Sequence, residues 1–133
     1  MKLLNSLLDG KAAVYRVAPQ NDERGSLVPV DLSELNFPIK RVLLIKASSN
    51  VERGGHGHHQ GRQFLMHVSG VVDVELRYQG KIEIKQLANS GDSLLIEPGV
   101  WSSQMYSDEN SAILVCCDTV YNESDYFYEI ERT

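Results

Sequence analysis

Apolar and polar residues alternate with a period of two over much of the chain, in short runs separated by turn-forming residues. Val72-Asp73-Val74-Glu75-Leu76 is the clearest run, the pattern of a strand with one buried and one wet face. The alternation predicts strands over 12–17, 27–30, 39–47, 63–68, 71–78, 81–86, 93–96, 102–106 and 112–118. Gln79-Gly80 reads as a two-residue hairpin turn. Ser69-Gly70 and Ser90-Gly91-Asp92 mark two more turns. Helix signals are weak. One turn is expected at 31–35, and a short C-terminal helix is expected to open with Ser124 as its cap. No repeat, low-complexity tract or linker interrupts the pattern. The expectation is one all-β domain over 1–133, a sandwich or jelly-roll barrel with little helix.

Composition narrows the function classes. With 133 residues, 42% of them hydrophobic, the chain can bury a core without covalent staples. Thirteen basic against eighteen acidic residues give a net charge of −5. That balance supplies no basic face for nucleic acid. The longest apolar runs resemble Val42-Leu43-Leu44-Ile45, far short of a membrane-spanning helix. The opening Met1-Lys2-Leu3-Leu4 is followed by Asn5, Ser6 and Asp9, too broken for a signal peptide. Cys116 and Cys117 are neighbours, so on a strand they point to opposite faces. They are expected as reduced thiols, which places the protein in the cytoplasm.

The chemistry concentrates in Arg53-Gly54-Gly55-His56-Gly57-His58-His59. In an extended segment His56 and His58 project to one face, where two imidazoles can bind a metal or move protons. The flanking glycines allow close approach of a ligand or of backbone. His59 is expected to point the other way, and His67 to belong to a sheet face, both in structural roles.

These residues resemble the first motif of the cupin family, His-x-His, then Glu, then Gly. Here the matching positions are His56, His58, Gln63 and Gly70. The second cupin motif resembles Gly-x5-Pro-x-Gly-x2-His. Here it reads Gly91, Glu97, Pro98, Gly99 and Ser102. Two of the four ligands of a metal cupin are thus replaced, by Gln63 and Ser102. A neutral amide and a hydroxyl are weak ligands for a divalent cation, so no metal and no cofactor are expected. The imidazoles are left for acid–base work.

The wider pattern is similar to the metal-free cupins that act as dTDP-4-keto-6-deoxyhexose 3,4-ketoisomerases. The resemblance rests on Arg24-Gly25-Ser26-Leu27-Val28-Pro29, on Asn36-Phe37-Pro38-Ile39-Lys40-Arg41-Val42, and on the histidine segment with Gln63 and Gly70. It continues in Ile96-Glu97-Pro98-Gly99-Val100-Trp101 and in the tail Tyr121-Asn122-Glu123-Ser124-Asp125-Tyr126. The resemblance implies a double-stranded β-helix and a 4-keto to 3-keto isomerisation through an enediol or enediolate. His56 is expected as the principal base and His58 as its partner. Arg41 is expected beside the developing negative charge. Arg24 and Arg53 are expected on the sugar or the diphosphate, Gln63 on a sugar oxygen, and Trp101 against a ring or as a closing wall. Arg62 is read as a solvated edge residue. The product would feed an aminotransferase serving a cell-surface glycan such as O-antigen, and a homodimer is implied.

One departure bears on the substrate. After Ile39-Lys40-Arg41-Val42 the family carries Tyr and a second aromatic, whereas this chain has Leu43-Leu44. The tail also has Asp118-Thr119-Val120 where relatives resemble Ser-Glu-Tyr. Two other classes remain open. One is a non-catalytic sugar-nucleotide module, favoured by Leu43. The other is a metal-dependent cupin such as a dioxygenase.

Overall fold

A computed structural model describes residues 1–130. Thirteen strands form among them: β1 Lys2–Leu7, β2 Ala12–Arg16, β3 Gln20–Asp22, β4 Gly25–Leu27, β5 Arg41–Lys46, β6 Val51–His58, β7 Gln63–Ser69, β8 Val72–Tyr78, β9 Lys81–Leu87, β10 Asp92–Ile96, β11 Trp101–Tyr106, β12 Ala112–Cys117 and β13 Tyr126–Phe127. They build a six-stranded sheet in the order β1-β2-β10-β7-β12-β5 and a five-stranded sheet in the order β13-β6-β11-β8-β9. All pairings are antiparallel. This is the expected cupin jelly roll, with helix confined to three short 3₁₀ turns among the described residues.

Alternation explains the interior. Val72, Val74 and Leu76 of β8 face inward and meet Leu65, Leu94, Ile113 and Val115 from the opposite sheet. Asp73 and Glu75 lie on the other face. Burying such side chains contributes about 1.5–3 kcal/mol each before entropy is counted. The Gln79-Gly80 hairpin has φ +48° and +77°, the double positive φ of the primed turn that matches strand twist.

The six-stranded sheet is also packed on its outer face. Residues 28–37 fold back over it, placing Leu32 and Phe37 against Phe64, Leu95 and Cys116. The expected turn at 31–35 is the 3₁₀ turn Leu32–Leu35, closed by Asn36 at φ +50°. Cys116 joins this outer cluster while Cys117 joins the inner one, as strand alternation requires. Both thiols are free and buried.

Two expectations needed correction, and strands also form outside the predicted runs. The strand expected over 27–30 is instead β4, ending at Leu27, because Pro29 lacks an amide for a ladder and Val30 packs into the outer cluster. The segment read only as a broken apolar start is edge strand β1, bulged between Leu3 and Asn5. β6 forms despite three glycines because β11 supplies its partner. The C-terminal turn is Glu123–Asp125, and its cap is Asn122 rather than Ser124: the Asn122 Oδ1 accepts from the Ser124 amide at 3.2 Å and from the Ser124 hydroxyl at 2.7 Å.

Candidate active site

β6 carries His56 and His58 on one face, with ring centroids 5.4 Å apart and edge to face. A double-glycine bulge sets their positions. Gly54 and Gly55 have φ of +85° and +82°, where a side chain is strained, and the register with β11 shifts there.

His58 is held from two sides. Its Nδ1 lies 3.5 Å from Asp125 Oδ2. Its Nε2 lies 3.1 Å from the Gln63 amide nitrogen. Asp125 is itself fixed by the backbone amides of Gln60 and Gly61, which donate to its carboxylate at 2.8 and 3.1 Å. The Tyr126 ring lies 4.9 Å from His56 and 4.4 Å from His58. Tyr126 reaches this place because β13 pairs it with His58.

Beside His58 lies a narrow cleft lined by Arg41, Arg62, Gln63, Cys117 and Tyr126 among others. Arg41 enters from β5, with its guanidinium over the Tyr121 ring at 5.1 Å and one nitrogen 3.4 Å from the Tyr126 hydroxyl. Leu43, two residues along on the same face, packs against the inner core and presents no hydroxyl.

The electrostatics favour neutral imidazoles. Burial pushes His56 below its ordinary value, against a small upward pull from the Gly54 carbonyl. Burial also lowers His58, helped by the neighbouring His56 and Arg41 and opposed by Asp125. Burial pushes both cysteine thiols up.

Not every predicted site residue gathers here. His56, His58, Arg41 and Gln63 do. Arg24 is 86% exposed and forked onto Asp22 at 2.6 Å in the β3–β4 hairpin, outside the cleft. Arg53 is exposed on β6, opposite Gln104, and does not line the cleft. Trp101 donates its indole N–H to the Tyr128 carbonyl at 3.1 Å and stands next to Arg77, so it anchors the C-terminal segment. Arg62 is not a solvated edge residue. It pairs with Glu97 at 3.1 Å, covers the Phe37 ring at 5.3 Å, and donates to the Leu35 and Asn36 carbonyls. His59 lies against Phe127, and His67 Nε2 bonds the Gly70 carbonyl at 2.8 Å. Asp125 and Tyr126 were visible beforehand only as part of a tail pattern with no role attached. Among the described residues, no three His, Cys, Asp or Glu side chains are placed to hold a metal ion.

Two antiparallel sheets closed around a histidine-bearing cleft define a cupin. The chain belongs to the family described as FdtA (WxcM-like, C-terminal), which it matches over residues 11–132. It is an isomerase, as its solved relatives are. It is similar to QdtA, a sugar 3,4-ketoisomerase from Thermoanaerobacterium thermosaccharolyticum crystallised with TDP, at 28% identity and TM-score 0.84, covering 92% of this chain and 90% of that one. A His-to-Asn variant of QdtA in complex with TDP-4-keto-6-deoxyglucose is 28% identical, with TM-score 0.83 and coverage of 90% and 88%. The TDP-quinovose 3,4-ketoisomerase WlaRB from Campylobacter jejuni is 27% identical, with TM-score 0.81 and coverage of 89% and 92%. No curated protein matches the chain.

Proposed function

We propose that this chain converts dTDP-4-keto-6-deoxyglucose into a dTDP-3-keto-6-deoxyhexose by proton transfer through an enediolate, without a metal. One observation carries the reading: His58 stands at the cleft beside Arg41, with a carboxylate behind it and Gln63 in front. The relatives crystallised with TDP and with TDP-4-keto-6-deoxyglucose support the substrate class.

In this reaction the proton at C3 leaves to a base, and the C3–H electron pair forms the C3–C4 double bond. The C4 carbonyl oxygen takes the negative charge, which the Arg41 guanidinium is placed to receive. A proton then adds at C4, and the O3 hydroxyl proton passes to O4 as C3 becomes the carbonyl. His58 is the base, because it lines the cleft and Asp125 supports it. His56, set against the Tyr126 ring, serves as the second proton carrier. This exchanges the two roles expected from sequence. Gln63 donates to a sugar oxygen. Arg62, on the cleft wall, joins Arg24 and Arg53 as a candidate cation for the diphosphate.

The protein acts as one cytoplasmic domain in deoxysugar biosynthesis, supplying a 3-keto sugar to an aminotransferase for a cell-surface glycan. Among the described residues, no helix is long and apolar enough to cross a membrane. It works as a homodimer. Val42, Leu44 and Val68 are exposed on the outer face of the six-stranded sheet, an apolar surface that a second copy covers.

Incubation with dTDP-4-keto-6-deoxyglucose in deuterated buffer tests the reading. Exchange at C3 and deuterium at C4 of the product are expected. His58→Asn should abolish both while leaving the fold intact. Binding without exchange would identify a non-catalytic module, and near-stoichiometric iron, manganese or nickel in untagged protein would identify a metal cupin.

A further inference from the structure

The amide of Gln63 makes two contacts through one nitrogen. That nitrogen lies 3.1 Å from His58 Nε2 and 3.9 Å from Cys117 Sγ. On the opposite side of the same imidazole, Asp125 can only accept a hydrogen bond, so the ring proton belongs on Nδ1. A neutral ring protonated at Nδ1 leaves a bare lone pair at Nε2, and a bare lone pair needs a donor. The Gln63 amide N–H is that donor, and its second N–H points to the Cys117 sulfur. Turning the amide over would set its oxygen against the Nε2 lone pair, two acceptors facing each other at hydrogen-bond distance.

We infer that Gln63 is a positioning residue that keeps His58 in the Nδ1–H tautomer, with Nε2 unprotonated and aimed into the cleft until a sugar displaces the amide. The inference deepens the proposed isomerase reading and rests on it for its catalytic meaning. It explains why an amide suits position 63. A carboxylate there would accept rather than donate, pulling a proton onto Nε2 and converting the base into an imidazolium clamped between two acids. It also gives the amide a second use: once the sugar's C3–H takes its place at Nε2, the freed N–H groups are available to a sugar oxygen. The charged and titratable groups facing His58 are His56 on the same strand, Arg41 from β5, Asp125 and Tyr126 from the C-terminal segment, and Cys117 from β12. Gln63 is the one partner among them that does not titrate.

The test is ¹⁵N spectroscopy of ring-labelled histidine in the whole protein without ligand, near neutral pH. The expected pattern for His58 is a pyrrole-type Nδ1 and a pyridine-type Nε2. Gln63→Glu is expected to put a proton on Nε2, to raise the titration midpoint of His58 above its ordinary value, and to move the acid limb of kcat/KM up by about one pH unit. A pyrrole-type Nε2 in the wild type overturns the inference, as does a Gln63→Glu variant with an unchanged tautomer and titration. Should Gln63→Glu fail to fold, the wild-type spectrum decides by itself. The isomerase reading is judged separately, by deuterium exchange in His58→Asn. An exchanging variant would end that reading and leave the tautomer result standing.

Discussion

Asp125 Oδ2 lies 3.5 Å from His58 Nδ1 while accepting the Gly61 amide at 3.1 Å. One carboxylate therefore both orients an imidazole and ties the C-terminal segment to the loop after β6. Its side chain is 10% exposed, so these bonds are made largely out of water, where their loss is expensive.

Asp125→Asn keeps the shape but removes the charge and turns a donor toward groups that themselves donate. Exchange at C3 should slow by about 100-fold, within the range typical of general acid–base assistance. Asp125→Ala should in addition lower stability by about 1–3 kcal/mol, read by thermal or urea unfolding, because two backbone amides lose their acceptor.

Acid should weaken the protein through His56 and His58. Both are held below the ordinary 6.5 in the folded state. Above 6.5 they are neutral folded and unfolded, and their contribution is fully present. As pH falls below 6.5 the unfolded chain takes up protons first, so stability declines until the folded values are passed. The same shift keeps the base free at mildly acid pH. The acid limb of kcat/KM should therefore lie below 6.5. Urea titrations and rate profiles between pH 4.5 and about 8 check both claims.

Gly57 has no room for a methyl group. A Cβ there would stand 2.2 Å from the Phe127 ring and 2.5 Å from the Val100 carbonyl oxygen. Gly57→Ala must push Phe127 and thereby β13 away from β6. A cost of about 1–3 kcal/mol is expected from overpacking. Activity should fall further than stability alone explains, because Tyr126 and Asp125 travel with that strand. Comparing exchange rates with the melting temperature at one protein concentration separates the two effects.

The vicinal thiols should be inert. Both are buried and pushed up in pKa by that burial. Ellman's reagent at pH 8 should find neither in the native protein and both after denaturation.

Leu44→Glu addresses the outer face. Leu44 is 69% exposed beside Val42 on β5, so the fold should tolerate the charge. Light scattering should show the proposed homodimer for the wild type and a monomer for the variant, with the melting temperature of the monomer fold little altered; a monomeric wild type would overturn the proposed pairing.

The barrel was legible because its strands alternate cleanly. Val72 to Leu76 states its own buried face, and Gln79-Gly80 states its own turn. β6 was not legible as a strand. Its Val-Glu-Arg-Gly-Gly-His-Gly-His sequence carries little strand propensity, and its ladder comes from β11, more than forty residues later. His56 and His58 were legible as a pair, because spacing by two fixes a shared face in extended backbone. Arg24 and Arg53 show the limit of that reasoning: an arginine's type gives its chemistry, while its place depends on local partners such as Asp22. Asp125 and Tyr126 were illegible as functional residues. A two-residue strand and a single 3₁₀ turn leave no periodic trace, and what brings them to His58 is long-range pairing.

Residues so far apart in the chain have consequences for biosynthesis. Gly61 and the carboxylate that grips it are separated by 64 positions. Synthesis therefore delivers the paired imidazoles well before the carboxylate that orients them. Such distant closures are slow steps in folding. A copy cut short ahead of Asp125 would carry both histidines without the clasp that sets them in working order.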